Sequence, residues 1–385
     1  MEIWWDSSPL VFEAWVAKMV SAAAPDRRAE LEAQLRRLFV AQDPARSVLR
    51  GCTTNPPLSL AALKSDPAYW DKRIDEIIAA QPGITRKQLF WKTYLAVIRK
   101  GAEMMRPLWE ASRGRYGYVS GQVDPRLIAE AEVMRQQAEE IASLAPNIMV
   151  KIPASREGVG VVRYLTSKAI CTNVTTCFTM PQIMAVARAA KEGLEIAKQN
   201  GVDTSRWRAV ITYMLGRLIE RPELMQQADE YKLDLTEADR KYFGIAVFKR
   251  ACQLIREGGY PSKMLLCSVR TGPRVDGKMR YWDIEEFAGA DVVFTLPPAA
   301  LASLFELEQN LVFDPDAIHR PVPRASLDKA LKLPFGVQAY EPDGMSPDQF
   351  NTHPSTIHTV GEFSQASAGL EEYVGERLTL AGAAV

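Results

Sequence analysis

"NIMVKIP" (147–153) is an apolar run of strand length with a lysine inside it. Short apolar runs bounded by turn signals or helical sequence are typical of buried strands. Lysine is rarely buried without a partner or a chemical role. The stretch therefore predicts a buried strand whose Lys151 has either a partner or a chemical role.

Seven similar runs occur along the chain, and most intervals between them contain helical sequence. They are "EIWWD" (2–6), "VLRGCTTN" (48–55), "YGYVSGQV" (116–123), "AICTNVTTC" (169–177), "RAVITYML" (208–215), "KMLLCSVR" (263–270) and "DVVFTLP" (291–297). Strand–helix alternation predicts a parallel sheet, and eight such units predict an α/β fold, a closed (β/α)8 TIM barrel. A doubly wound open sheet is the alternative. The dinucleotide form of that sheet has little support, since no GxGxxG follows the first strand.

We expect one domain, 1–385, with additional helices outside the barrel. In this prediction 1–308 form the barrel, while 309–385 form a C-terminal arm and a helix that pack on it. Residues 219–259 are long and charged, which predicts paired helices at the rim and a candidate homo-oligomer contact. Residues 309–345 are rich in Pro and Asp and predict an irregular arm, and "SAGLEEYVGERLTLAG" (367–382) predicts an amphipathic helix.

The composition argues against several classes of function. Lys plus Arg and Asp plus Glu number 47 each, so no global field attracts nucleic acid or an anionic membrane. No apolar stretch reaches the roughly 18 residues of a spanning helix, and the N-terminus is not basic like a signal peptide. We therefore expect a cytoplasmic protein that binds neither nucleic acid nor membrane.

The cysteines and histidines predict neither disulfides nor a zinc site. The five cysteines contain no CxxC pair, and their odd number favours reduced thiols. The three histidines lie near the C-terminus, and no HExxH or Cys/His spacing is present. Catalysis in the barrel is therefore expected to use Lys, Asp, Glu, Ser or Thr.

Polar side chains recur where the predicted strands end, which is where barrel enzymes hold their chemistry. Each one alone is explained as a strand-end residue that meets solvent, but their joint occurrence is not. The set is Asp6, Asn55, Ser120, Gln122, Lys151, Asn173, Thr175, Thr176, Thr212, Arg217, Ser268 and Arg270.

These side chains suit Schiff-base chemistry on a phosphorylated sugar. Burial on an apolar strand lowers the pKa of an amine such as Lys151, and the neutral amine attacks a ketone to form an imine. The iminium is an electron sink, so an adjacent carbon–carbon bond can break or form. Asp6 is a candidate base for the hydroxyl proton released in that step. Amides and hydroxyls suit a polyhydroxylated substrate, and arginines suit phosphate.

Six segments, in order along the chain, resemble the transaldolase family. They are "TTNPPL" (53–58), "VSGQVDPRL" (119–127), "MVKIPASREGV" (149–159), "TNVTTCFTMPQ" (172–182), "ITYMLGRL" (211–218) and "LLCSVRTG" (265–272). They are similar to the family's TTNPSL, VSTEVDPRL, IKIPAT, NVTLLFSLEQ, SPFVGRI and GASFRN segments, respectively. The C-terminal portion is matched only loosely.

The resemblance implies a (β/α)8 barrel enzyme that transfers a three-carbon ketol unit from a ketose phosphate to an aldose phosphate. It implies that Lys151 forms the Schiff base, that Asp6 is the acid–base residue, and that no metal or organic cofactor is needed. Thr175 would position a catalytic water, with Ser120 close by. The implied substrate-binding residues are Asn55 and Asn173 for the dihydroxyacetone unit, and Arg217, Ser268 and Arg270 for the sugar phosphate.

Three positions near the reacting carbons depart from the transaldolase pattern. Gln122 stands where the family has glutamate, and an amide can orient a water but cannot exchange a proton at neutral pH. The related fructose-6-phosphate aldolases have glutamine there. Thr212 and Met214 replace the serine and phenylalanine of SPF, and those aldolases have tyrosine at the latter point. The departures predict a specialised acceptor and leave two alternatives open: an aldolase that uses free dihydroxyacetone, and a catalytically weak sugar-phosphate-binding protein.

Overall fold

The computed structural model describes residues 1–275, 277–305 and 313–382. Within these residues, eight strands form a closed barrel with the spatial order first, eighth, seventh, sixth, fifth, fourth, third and second. They are β1 Glu2–Trp5, β2 Leu49–Cys52, β3 Tyr118–Gln122, β4 Ile148–Pro153, β5 Thr172–Cys177, β6 Ala209–Met214, β7 Lys263–Cys267 and β10 Val293–Leu296. Each lies within its predicted run, so the (β/α)8 prediction is confirmed. A short antiparallel pair, β8 Arg274–Val275 and β9 Lys278–Met279, stands apart from the barrel sheet.

Helices follow most barrel strands and several begin at defined caps. In α5, α8 and α11 the N-cap threonine and the third helical residue bond reciprocally, which satisfies backbone N–H groups that the helix itself leaves unpaired. The α-helices of the described residues are α1 Phe12–Ala22, α2 Arg28–Arg36, α3 Pro56–Ser65, α4 Pro67–Ala80, α5 Arg86–Ala111, α6 Ala131–Ser143, α7 Arg156–Ser167, α8 Met180–Gln199, α9 Leu215–Ile219, α10 Pro222–Glu230, α11 Glu237–Glu257, α12 Trp282–Glu285, α13 Pro298–Phe305, α14 Arg324–Ala330, α15 Pro334–Tyr340 and α16 Pro354–Leu380. Short 3-10 helices lie at Pro9–Val11, Pro25–Arg27, Pro125–Leu127, Ala317–His319 and Pro347–Gln349.

The chain divides into two compact units. The first unit comprises Met1–Trp4, Ile128–Arg135 and Lys151–Thr359, and the second comprises Trp5–Leu127, Gln136–Val150 and Val360–Val385. The predicted boundary between 308 and 309 falls in 306–312, outside the described residues. The expectation of a single domain therefore stays a prediction.

The first unit has β5, β6, β7 and β10 as a continuous parallel sheet. Every residue of β5 and β6 is buried, as expected for strands covered on both faces. Helices α7 and α8 pack closely, since a Cβ at Gly193 would lie only 2.6 Å from the carbonyl oxygen of Arg163. That approach requires glycine at this position of α8.

The charged stretch 219–259 forms α10 and α11, so the two helices predicted there are present. The prediction of an irregular arm over 309–345 is wrong for its described part, which contains α14 and α15. The carboxylate of Asp239 on α11 accepts hydrogen bonds from Ser326 Oγ and Lys329 Nζ, both at 2.7 Å. Helix α14 is thus fixed by a partner nearly ninety residues earlier, which the local sequence does not reveal.

In the second unit β2 and β3 pair in parallel, and the later part of α16 packs against α4. Tyr373 Oη donates to Asp71 Oδ1 at 2.5 Å, and Arg377 pairs with Asp71 and Asp75. The helix predicted at 367–382 is present, but α16 already begins at Pro354. The composition of 354–366, with its many Ser and Thr residues, hides this start.

Two further predictions concern the state of the cysteines and the presence of membrane-spanning helices. All five cysteines are free thiols, and Cys52, Cys177 and Cys267 are buried, while Cys171 and Cys252 are half-buried. Among the described helices, none is both long and apolar enough to cross a membrane.

Candidate active site

Lys151 lies on β4, where all six residues are buried. The residue is only 4% exposed to solvent. Beyond the strand, the Ala154 N–H donates to the carbonyl of Thr175 at 2.7 Å, which ties the end of β4 to β5. The structure therefore places the lysine in the buried strand that the sequence predicts.

The chain turns sharply from β4 into α7, and this turn sets where the strand ends. Ser155 is the N-cap of α7, and its hydroxyl accepts from the Gly158 N–H at 2.9 Å. A Cβ at Gly158 would overlap the carbonyl oxygen of Pro153. Glycine is therefore required for the helix to start so close to the strand that carries Lys151.

Strand β5 carries Asn173 and Thr175, both fully buried, and is irregular beside them. Its register with β6 shifts between Val174 and Cys177, and Thr176 has a φ of 50°. Bulges near active sites re-aim side chains, and a β-branched residue in the left-handed region costs about 1–3 kcal/mol. Among the described residues, the Thr176 hydroxyl has no hydrogen-bond partner.

Gln182, in the first turn of α8, holds this strained segment in place. Its Nε2 donates to the carbonyls of Thr176, at 3.2 Å, and Ala154, at 3.1 Å. Its Oε1 accepts from the backbone N–H groups of Phe178 and Thr179. A fully buried amide with all these partners rigidifies the ends of β4 and β5.

Strand β6 places its two predicted residues against β5. Thr212 Oγ1 donates to Asn173 Oδ1 at 2.6 Å. This bond fixes the orientation of the Asn173 amide, so its Nδ2 points away as a donor. Met214 ends β6 with its sulfur 3.9 Å from Thr175 Oγ1. Met214, one of the three positions that depart from the pattern the sequence resembles, therefore contacts the predicted water-positioning threonine.

The predicted phosphate residues follow β6 and β7. Arg217 lies in α9, and its Nη1 donates to Thr359 Oγ1 at 3.4 Å. Ser268 comes directly after β7 with a φ of 56°. A Cβ at Gly216 would overlap the Ser268 carbonyl oxygen and lie 3.2 Å from Arg270 Cζ. Glycine at 216 lets the start of α9 pack against the loop that carries Ser268 and Arg270.

Arg270 is held by three charged residues that the sequence analysis did not identify. Its Nε and Nη2 bond to Glu220 at 3.0 and 3.3 Å. Its backbone N–H donates to Asp283 Oδ2 at 2.7 Å, and its carbonyl accepts from Lys241 Nζ at 3.4 Å. These partners lie 13 to 50 positions away in sequence, so no local pattern signals them.

In the second unit, Asp6 and Asn55 lie at strand and helix ends. Asp6 directly follows β1, and its Oδ1 accepts from Thr53 Oγ1 at 2.6 Å. Asn55 is the N-cap of α3, and its Oδ1 accepts from the Leu58 N–H at 2.9 Å. Since the cap occupies the amide oxygen, Nδ2 is the group with which Asn55 can bind a substrate hydroxyl.

Ser120 and Gln122 lie on β3 of the second unit, 0% and 2% exposed. The Thr54 hydroxyl donates to the Ser120 carbonyl, and Tyr94 Oη donates to the Gln122 carbonyl at 2.9 Å. Burial raises the pKa of Tyr94, which keeps this phenol protonated. Within the described part of the chain, Gln122 Oε1 has no hydrogen-bond partner. A buried amide oxygen in that state suits a bound water or ligand.

The predicted site residues thus divide between the two units, and their roles stay predictions. The structure groups Lys151, Asn173, Thr175, Thr212, Met214, Arg217, Ser268 and Arg270 in the first unit. It groups Asp6, Asn55, Ser120 and Gln122 in the second unit. Among the described residues, no group of three or more His, Cys, Asp or Glu side chains is arranged to hold a metal ion.

Comparisons with known proteins agree with one another. A family model described as transaldolase/fructose-6-phosphate aldolase matches residues 36–338. Transaldolase 2 of Streptomyces avermitilis is 27% identical over 315 residues, which cover 77% of this chain and 82% of that protein. Transaldolase 1 of the same organism is 33% identical over 170 residues, 44% of each chain. A transaldolase of Saccharopolyspora erythraea is 30% identical over 262 residues, 65% of this chain and 70% of that protein. The range matched by the family model contains every predicted site residue except Asp6.

Proposed function

Because the chain belongs to the transaldolase/fructose-6-phosphate aldolase family, we propose that it is a cytoplasmic transferase. It moves a dihydroxyacetone unit from a ketose phosphate to an aldose phosphate through a Schiff base. The buried Lys151 of β4 is the observation that carries this proposal. A lysine amine held in a buried strand is a candidate nucleophile for imine formation with a ketone.

In the proposed reaction the Lys151 amine adds to the ketone carbon of the donor, and loss of water leaves an iminium. The bond between the third and fourth carbons breaks, and its electron pair flows into the iminium to give an enamine. Asp6 accepts the proton of the fourth-carbon hydroxyl as the first aldose leaves. The enamine carbon then attacks the acceptor aldehyde, whose oxygen takes the proton back from Asp6. Water hydrolyses the resulting imine, which releases the new ketose and restores the Lys151 amine.

Three features support the binding roles in this proposal. The hydrogen bond from Thr212 orients the Asn173 amide, which supports its role in holding the hydroxyls of the dihydroxyacetone unit. Arg217 lies in α9, which begins directly after β6, and Ser268 and Arg270 lie in the loop after β7. Arginine guanidinium groups form charge-assisted, bidentate hydrogen bonds with phosphate, which suits the phosphate end of either sugar.

Borohydride trapping tests the proposal directly. The protein is incubated with fructose 6-phosphate and sodium borohydride, and the modified peptide is identified by mass spectrometry. The expected result is a reduced adduct on Lys151 that is absent in Lys151→Ala. Lys168→Ala, which removes a lysine from the C-terminal end of α7, is the matched control and should still be trapped. Absence of any adduct with several ketose phosphates, or an adduct on another lysine, would refute the proposal.

Gln122 favours a second candidate, an aldolase that releases free dihydroxyacetone. An amide cannot serve as the proton-exchanging group that a glutamate provides. Release of dihydroxyacetone from fructose 6-phosphate in the absence of an acceptor would favour the aldolase. A strict requirement for an aldose phosphate acceptor would favour the transferase. Tight binding of fructose 6-phosphate without an adduct or turnover would instead indicate a sugar-phosphate-binding protein.

A further inference from the structure

A buried ion pair joins α11 to α12 in the first unit. Lys241 Nζ lies 2.8 Å from Asp283 Oδ1, and the two residues are 3% and 0% exposed. Neither residue is among the candidate catalytic or substrate-binding residues of the sequence analysis. Each is also bonded to the main chain of Arg270, Asp283 to its N–H at 2.7 Å and Lys241 to its carbonyl at 3.4 Å.

Stability alone does not account for this pair. Removing two charges from water costs several kcal/mol each, and well-packed apolar residues often replace such pairs without loss of stability. Burial raises the pKa of Asp283 although the Lys241 ammonium opposes that shift. The attraction between the two groups therefore does not fully offset the burial of the carboxylate.

The pair instead holds Arg270, which lies in the loop after β7. Helix α9 constrains the same loop at Ser268. Ser268 adopts a left-handed φ of 56°, and α9 packs on its carbonyl where Gly216 leaves room. A left-handed conformation in a residue other than glycine persists only where the surroundings hold it. The charged pair and α9 together supply those surroundings for the Ser268–Arg270 loop.

We infer that Lys241 and Asp283 are positioning residues that hold the main chain of Arg270, so that its guanidinium and the Ser268 hydroxyl meet a phosphate group. This inference rests on the proposed function and adds the residues that give the phosphate end its geometry. The Arg270 guanidinium is paired with Glu220 at a site where both side chains are more than 40% exposed. Such an exposed pair is worth only about 0–1 kcal/mol, so a phosphate can displace the carboxylate.

Two double variants separate positioning from simple charge removal. Lys241→Met/Asp283→Asn and Lys241→Met/Asp283→Leu both remove the charges, and the Asn and Leu side chains have the same number of heavy atoms. Only the first keeps a side-chain oxygen that can accept from the Arg270 N–H. In the Leu variant that buried N–H has no side-chain acceptor, so the main chain of Arg270 is expected to shift, and the guanidinium moves with it. We expect the Leu variant to weaken binding of fructose 6-phosphate by about tenfold or more relative to the Asn variant.

The readouts are the dissociation constant for fructose 6-phosphate by calorimetry and the rate of borohydride trapping with free dihydroxyacetone. Positioning of the phosphate end predicts that the Asn and Leu variants differ in the first readout and not in the second. Lys249→Met/Glu286→Gln is the matched control, since it removes a paired lysine of the same helix that does not contact Arg270. It should bind the sugar phosphate like the unmodified protein. Thermal unfolding of each variant checks that the barrel is intact.

Three results would overturn the inference. Equal binding by the Asn and Leu variants would show that the Arg270 N–H bond does not matter. If the Leu variant lost dihydroxyacetone trapping to the same extent as fructose 6-phosphate binding, the defect would be a general structural one. If the unmodified protein did not bind fructose 6-phosphate, the phosphate site on which the inference rests would be disproved. The proposed function fails separately, when the unmodified protein binds the sugar phosphate but gives no Lys151 adduct.

Discussion

Acidification is expected to destabilise the protein through His353, which is buried between two aromatic rings. Its ring centroid lies 5.3 Å from that of Phe335 and 6.3 Å from that of Phe178. Its Nδ1 accepts from the Ser355 N–H at 3.3 Å, and among the described residues its Nε2 has no hydrogen-bond partner. Burial lowers the pKa of His353 to about 4. The folded protein therefore holds this imidazole in its neutral form.

Acid lowers the stability because the unfolded chain binds a proton at this histidine more readily than the folded protein does. In the unfolded chain a histidine has a pKa of about 6.5, so the unfolded state takes up the proton first as the pH falls. The contribution of His353 to stability is complete above pH 6.5 and is lost as the pH falls toward 4. Between pH 7.5 and pH 5.0 this loss is about 2 kcal/mol, and it approaches about 3 kcal/mol near pH 4.

Urea unfolding of the unmodified protein and of His353→Phe, at pH 7.5 and pH 5.0, measures this contribution. Phenylalanine keeps the aromatic contacts and removes the titration. The lost bond to the Ser355 N–H costs about 1 kcal/mol at both pH values and cancels in the comparison. The fall in unfolding free energy on acidification should be about 2 kcal/mol smaller in the variant. His319→Gln, which removes an exposed imidazole, is the control. An equal fall in His353→Phe and the unmodified protein would refute the reasoning.

Three further changes have defined outcomes. Thr212→Val removes the 2.6 Å bond to Asn173 Oδ1, and the rate of Lys151-dependent trapping should fall about tenfold, as expected for the loss of a buried hydrogen bond. Gly216→Ala should lower the free energy of unfolding by about 1–3 kcal/mol, because the new methyl group overlaps the Ser268 carbonyl; thermal unfolding measures this. Burial acts to raise the pKa of Asp239, but hydrogen bonds from its partners on α14 and α11 lower it to about 2. Its stabilising charge is therefore lost as the pH falls from about 4 toward 2, and Asp239→Asn should flatten that acid limb in urea unfolding.

The barrel strands are predictable from sequence because each is a short apolar run with clear boundaries. The arm is not predictable in the same way. Its helix α14 depends on hydrogen bonds between Ser326, Lys329 and the carboxylate of Asp239 on α11. Local propensity carries no information about a partner so distant in sequence. The early start of α16 at Pro354 is missed for a related reason, since Ser and Thr weaken the helical signal there.

The identity of the candidate site residues is predictable, but their environments are not. A lysine inside an apolar run draws attention to Lys151 whatever surrounds it. The contact between Met214 and Thr175, however, depends on the register of β5 against β6, which shifts where β5 is irregular. The support that Lys241 and Asp283 give to Arg270 depends on two helices whose charged residues resemble ordinary solvent-facing ones.

The left-handed backbone at Thr176 and Ser268 has a consequence for protein engineering. Glycine and asparagine tolerate this conformation better than threonine or serine do, so a library selected only for thermal stability should enrich them at both positions. The enriched variants would lose the hydroxyl at 268 that the phosphate end is proposed to use. Such a library can be sequenced before and after heat selection, and the surviving variants assayed for trapping with fructose 6-phosphate. The comparison would identify the positions at which a less stable residue is needed for activity.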